Sequence, residues 1–209
     1  MTELHLVRAP EDRPAQGHVI FVHGLGGDPF GTWRHDAGAE NFWPDWLAKD
    51  VPRLAVHTLG YDASPVGWLG NTMPVTERAP NVLTELQTRE LAGGPIVFIG
   101  HSLGGLLIKQ LFRHAIEMQN DAWRRIVDQT KAVVSLATPH HGSNLAAIIG
   151  NVVGALGALG AIPRGEGTRT PGPEYLVHQQ GCQIRDLLAL LLRETKHQRN
   201  PRGGHAETE

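Results

Sequence analysis

Apolar residues along the chain fall into two rhythms. His18-Val19-Ile20-Phe21-Val22 is a short β-branched run that ends at His23-Gly24, the pattern of a buried strand followed by a turn. Pro95-Ile96-Val97-Phe98-Ile99-Gly100 repeats that pattern, and so does Ala132-Val133-Val134-Ser135-Leu136-Ala137, stopped by Thr138-Pro139. Residues 54–59 make a further strand, and residues 2–7 alternate polar with apolar as an edge strand does. Between these runs the period becomes helical. Phe42, Trp43, Trp46 and Leu47 give residues 41–50 an apolar face, with Pro44 near its start. Val82, Leu83, Leu86 and Leu91 share one side of a helix over 76–91. Leu103, Leu106, Leu107, Leu111 and Ala115 face inward from a helix over 102–118. Strands alternating with helices predict a mostly parallel sheet covered on both faces.

The last third of the chain changes character. Residues 165–173 are rich in Gly, Pro, Thr and Arg and read as an exposed loop. Ile184, Leu187, Leu188, Leu191 and Leu192 then follow helical spacing. From 197 to 209 the chain is polar, with Pro201, Gly203 and Gly204, and a disordered tail is expected there. Residues 1–196 therefore read as one domain.

Residues 145–162 are eighteen in a row without a charge, the lower edge for a membrane span. Gly150, Gly154, Gly157 and Gly160 weaken a helix there, and Asn151 adds a polar group. A lid or pocket helix over 145–163 is the better reading, with peripheral lipid contact but no stable span.

Composition narrows the class. Apolar residues at 41% and charged residues at 19% suit a globular chain with a real core. A formal net charge of -2 leaves no electrostatic footprint for nucleic acid. The N-terminal residues lack the apolar core of a secretory signal. Cys182 is the single cysteine, so no intramolecular disulfide can form, and a reducing, cytoplasmic setting is expected.

The candidate chemistry begins at Gly100-His101-Ser102-Leu103-Gly104, which joins an expected buried strand to an expected helix. In that context Gly-x-Ser-x-Gly is a nucleophile elbow. The sharp turn lifts a serine hydroxyl above the sheet edge, and small residues on either side let strand and helix pack closely. A second motif, His23-Gly24-Leu25-Gly26-Gly27, follows the first buried strand. Acyl transfer generates an oxyanion, and convergent backbone N–H groups are its usual stabilisers. The expected donors are Leu25 in the glycine loop and Leu103 just after the serine. A phosphate-cradling loop does not fit, because no Gly-Lys-Ser/Thr follows and the Gly-x-Gly-x-x-Gly spacing breaks at Pro29. No His/Asp/Glu set has metal-ligand spacing, and neither metal nor cofactor is expected.

On these residues the chain resembles the lipase-like α/β hydrolases that include GPI-inositol deacylases and serine-active-site-containing proteins. The matching stretches are VIFVHGLGGDPFGTW, WLAKDVPRLAVHTLGYDA, VFIGHSLGGLLIKQL and VVSLATPHHGS, in that order from Val19 to Ser143. The resemblance implies an α/β-hydrolase fold and places Thr138-Pro139-His140-His141-Gly142-Ser143 at the border of the active site, with His140 on the pocket wall. It also implies the chain order serine, then acid, then histidine. Glu174, Asp186 and Glu194 come late enough to be acids, and His178, His197 and His205 to be bases. None of these acids follows an expected strand, and His205, the best placed histidine by order, sits in a polar, Gly-rich setting. The triad acid and base thus stay unassigned, and the sheet is expected to be shortened at its C-terminal side.

Two functional readings follow. One is a serine hydrolase acting on a small ester or acyl substrate, lipid-like if 145–163 is a lid. The other is a truncated or degenerate, catalytically weak module that binds a ligand or a protein partner. Nothing in the pattern points to an oligomeric state.

Overall fold

The computed structural model describes residues 2–35, 41–63 and 75–139. The segment 145–163, the helical pattern over 184–192 and the tail 197–209 lie outside the described residues, as does any domain boundary near 196.

Along the described chain run β1 (Glu3–Arg8), β2 (His18–Val22), α1 (Trp43–Asp50), β3 (Ala55–Gly60), α2 (Val75–Thr88), β4 (Ile96–His101), α3 (Leu103–Glu117), α4 (Asp121–Gln129) and β5 (Thr130–Leu136). The five strands form one sheet in the order β1-β3-β2-β4-β5. β2, β3, β4 and β5 are parallel, and β1 runs antiparallel along β3 at the edge. The expected edge strand is therefore an edge strand, and the three apolar runs are the neighbouring strands β2, β4 and β5, with β5 last in the described order.

The central strands β2, β3 and β4 bury both of their faces, because successive side chains point to opposite sides of the sheet. Ile20 and Val22 of β2, Leu59 of β3 and Ile96 and Phe98 of β4 face a cluster with Val82, Leu83 and Leu86 of α2 and Leu107, Ile108 and Leu111 of α3. Ile126 of α4 joins the same cluster. Phe21 points the other way and meets Trp33 and Trp43 edge-on, at ring-centroid distances of 4.9 and 5.1 Å. α1 covers that second face, burying Trp43, Leu47 and Ala48. A side chain as large as Phe21, with no exposed surface, contributes about 1.5–3 kcal/mol by burial alone. No helix among the described residues is long and apolar enough to cross a membrane.

α4 was not among the expected elements, although Trp123, Ile126 and Val127 turn one apolar face to the core. Asn120 caps it, its Oδ1 accepting from the N–H groups of Ala122 and Trp123 at 2.9 and 3.2 Å. β5 starts two residues ahead of its apolar run because Thr130 pairs with Ile96. The parallel sheet places the C-terminal ends of β2, β3 and β4 side by side, with Val22 in register with both Leu59 and Gly100. The loops carrying both glycine motifs leave the sheet at that common edge.

Candidate active site

Ser102 stands alone between the end of β4 and the first residue of α3, at φ 51° and ψ −123°. An L-residue held in this region carries strain of about 1–3 kcal/mol. The turn is pinned on both sides: the Ser102 N–H donates to the Leu136 carbonyl at 2.8 Å, and the Gly105 N–H donates to the Ser102 carbonyl at 3.2 Å. Gly104 explains why the helix can start so abruptly. A Cβ there would run into the carbonyl oxygens of Val22 and His23, so α3 begins directly against the end of β2. Gly100 plays the matching part on the strand, where a Cβ would lie 2.8 Å from Gly105 Cα.

The second motif packs onto this turn. A Cβ on Gly24 would lie 2.8 Å from Ser102 Cβ and 3.4 Å from the Leu103 nitrogen. The loop then curls: the Gly27 N–H donates to the Gly24 carbonyl at 3.2 Å. Gly26 takes a positive φ of 68° and donates its N–H to Ala63 at 2.7 Å. The amides of Gly26, Gly27 and Gly105 are thus committed to carbonyls. Among the described residues, those of Leu25 and Leu103 donate to none. The two free donors therefore belong to segments that touch through Gly24 and Ser102.

Two histidines frame the turn. His23 is fully buried, and its Nδ1 lies 3.0 Å from the Gly24 carbonyl. A carbonyl only accepts, so Nδ1 carries the proton and Nε2 the lone pair. Burial lowers the pKa of His23, opposed by the Gly24 hydrogen bond and by Asp28. His101 is also lowered by burial, and its ring meets Trp33 edge-on at 6.2 Å. Burial thus favours the neutral form of both imidazoles, and neither hydrogen-bonds the Ser102 hydroxyl. Asp28 is drawn below the usual carboxylate range, chiefly by the N–H of Gly31, which its Oδ1 accepts at 2.8 Å along with that of Phe30. That carboxylate is a turn-former for Gly31–Trp33.

His140, His178, His197, His205, Glu174, Asp186 and Glu194 all lie outside the described residues. Among the described residues, no group of three His, Cys, Asp or Glu side chains is placed to hold a metal ion. The hydrophobic pattern does not mark two neighbours of the turn, one of which, Thr138, lies in the stretch that the resemblance puts at the border of the active site. Thr138 packs against Gly105, where a Cβ would strike its hydroxyl. Tyr61 donates its hydroxyl to the His23 carbonyl at 2.6 Å and stacks on the His23 ring. The only sequence hint of Tyr61 was its place in the stretch ending Gly60-Tyr61-Asp62-Ala63.

The chain is similar to several known proteins. Over 153 residues the chain is 31% identical to Protein SERAC1 of Mus musculus, 30% to that of Homo sapiens and 29% to that of Bos taurus. Each match covers 64% of this chain and 23% of the relative, so the chain spans about a quarter of the length of these curated relatives. Among solved structures, the mature lipase BlEst2 of Bacillus licheniformis is 18% identical with a TM-score of 0.46, covering 71% of this chain and 51% of that one. A monoacylglycerol lipase of Paleococcus ferrophilus is 21% identical with a TM-score of 0.40, covering 74% and 51%. The mostly parallel sheet, its antiparallel edge strand and the helices on both faces make the fold an α/β-hydrolase fold. Residues 15–151 match the model of the family described as "Putative serine esterase (DUF676)", and the chain belongs to that family.

Proposed function

We propose that the protein is a serine hydrolase of ester or acyl substrates, with Ser102 as nucleophile and the N–H groups of Leu25 and Leu103 as the oxyanion hole. The observation that carries this reading is the contact of Gly24 with Ser102, 2.8 Å from a Cβ position on the glycine to Ser102 Cβ. It brings the loop that carries the Leu25 amide against the serine that precedes α3, which supports the reading. The Ser102 oxygen attacks the carbonyl carbon, and the former carbonyl oxygen becomes the anion that both amides bind. The positive end of the α3 dipole favours the same charge. The C–O bond to the leaving group then breaks, an alcohol departs with a proton, and water later releases the acid from the acyl-serine.

The Ser102 proton needs an acceptor, and a serine at its ordinary pKa is a weak nucleophile without one. By chain order that acceptor is sought among His178, His197 and His205. The coarser reading, a hydrolase-like domain, stands on the family match and not on the position of these groups.

A fluorophosphonate probe tests the reading. Labelling of the wild-type protein, lost in Ser102→Ala with unchanged near-UV circular dichroism, is the expected result. No labelling of well-folded wild-type protein refutes it and leaves the ligand-binding module. Loss of a triad member costs on the order of 10⁴-fold in rate, so slow labelling that still depends on Ser102 identifies an elbow without its base.

A further inference from the structure

The oxyanion-binding role of Leu25 raises the question of what holds its loop still. Leu25 lies between two hydrogen bonds that both anchor to the segment after β3. On its N-terminal side, the Tyr61 hydroxyl donates to the His23 carbonyl at 2.6 Å. On its C-terminal side, the Gly26 N–H donates to the Ala63 carbonyl at 2.7 Å. The Tyr61 ring also lies flat on the His23 imidazole, with centroids 4.4 Å apart and planes 18° from parallel. The His23 carbonyl is a crowded place, since it is one of the two oxygens that any Gly104 side chain would strike. Fixing that peptide fixes the approach of the loop to α3 as well.

We infer that Tyr61 is a positioning residue for the oxyanion hole: its hydroxyl and the Ala63 carbonyl clamp the loop so that the Leu25 N–H stays aimed beside Ser102. This rests on the hydrolase reading above. Tyr61 is 7% exposed, and burial pushes its phenol far above the usual range, so it stays a donor at every working pH. Its ring fills core space whether or not the hydroxyl matters. A purely structural tyrosine would on becoming phenylalanine lose stability but little activity, while a clamp would lose its grip on one side of Leu25.

Tyr61→Phe keeps the ring and removes only the donor. The comparison variant is Ile126→Val, a trimmed core residue on α4 that is 1% exposed in the wild type. For the clamp, kcat for a p-nitrophenyl ester falls about 10- to 100-fold in Tyr61→Phe, short of the loss from deleting an oxyanion donor outright. KM stays within about twofold, because a ground-state ester makes little use of the hole. Amide exchange at Gly26 speeds up by at least about tenfold as local opening becomes easier. Ile126→Val changes neither quantity, although both variants lower the melting temperature. A kcat within twofold of the wild type, or an unchanged Gly26 exchange rate, overturns the inference. If the wild-type protein neither labels nor hydrolyses, the hydrolase reading fails by itself, and exchange at Gly26 alone then decides whether the hydroxyl clamps the loop.

Discussion

His57 offers a quantitative test of the core, away from the candidate site. It lies on β3 in register with Ile20, is 7% exposed, and its Nε2 sits 3.2 Å from His18 Nδ1. Burial pushes its pKa from 6.5 down to about 4, with the nearby His18 and Arg89 acting in the same direction. A depressed pKa means that the fold prefers the neutral ring. The unfolded chain therefore binds more protons at intermediate pH, and stability is lost as pH falls. The contribution is intact above pH 6.5, and linkage puts the loss at roughly 1.4 kcal/mol by pH 5.5 and about 3 kcal/mol below pH 4. His18 is lowered by burial too and adds a loss of the same sign. Asp28 and Asp45 are also held low, but their contribution fades only as pH drops below the carboxylate range, so the window from 6.5 to 4 belongs to the histidines. The assay is urea unfolding followed by tryptophan fluorescence at half-unit steps from pH 7.5 to 4, on wild type and His57→Gln. Between those limits the wild type should fall relative to the variant by about 3 kcal/mol, the part that titrating His57 contributes. Parallel stability curves would sink the reasoning, as would an NMR titration that places the His57 ring at 6 or above.

Two further predictions concern the strand-to-helix turn. Ser102→Gly removes the cost of φ 51° and should raise unfolding stability by about 1–2 kcal/mol in urea titrations, net of the extra chain entropy of glycine, while abolishing phosphonate labelling. Gly104→Ala sets a methyl group against two backbone carbonyls and should destabilise by at least about 3 kcal/mol, read by thermal melting. Gly93→Ala, where nothing lies within 4 Å of the new atom, is the control and should be near neutral.

The parts of the fold that were legible are those written in local sequence. A parallel strand buried on both faces must be apolar throughout, so His18–Val22 and Ile96–His101 stood out within a residue of their ends. The glycines of both motifs were equally plain, since close backbone approach excludes a side chain whatever the rest of the chain does. α4 was missed for the opposite reason. It is nine residues long, and its apolar stripe of Trp123, Ile126 and Val127 is too short to stand out beside the longer helices, although Asn120 as a cap marks its start. Tyr61 was illegible because its role depends on a hydroxyl meeting a carbonyl 38 positions away, which no window along the chain contains.

The same distinction bears on Ser102. Its backbone sits in a region that glycine would occupy without strain. Its side chain makes no capping hydrogen bond to α3. Serine, threonine, aspartate and asparagine before a helix ordinarily justify themselves by such a bond, and Asn120 before α4 does so with two. The two helix starts thus separate a residue whose side chain caps its helix from one whose side chain does not, although its backbone is strained. Strain without a structural return is what a reactive hydroxyl would leave behind. That contrast is why Ser102→Gly is the more telling substitution: a purely structural turn would gain stability and lose nothing, whereas a nucleophile would gain stability and lose its chemistry.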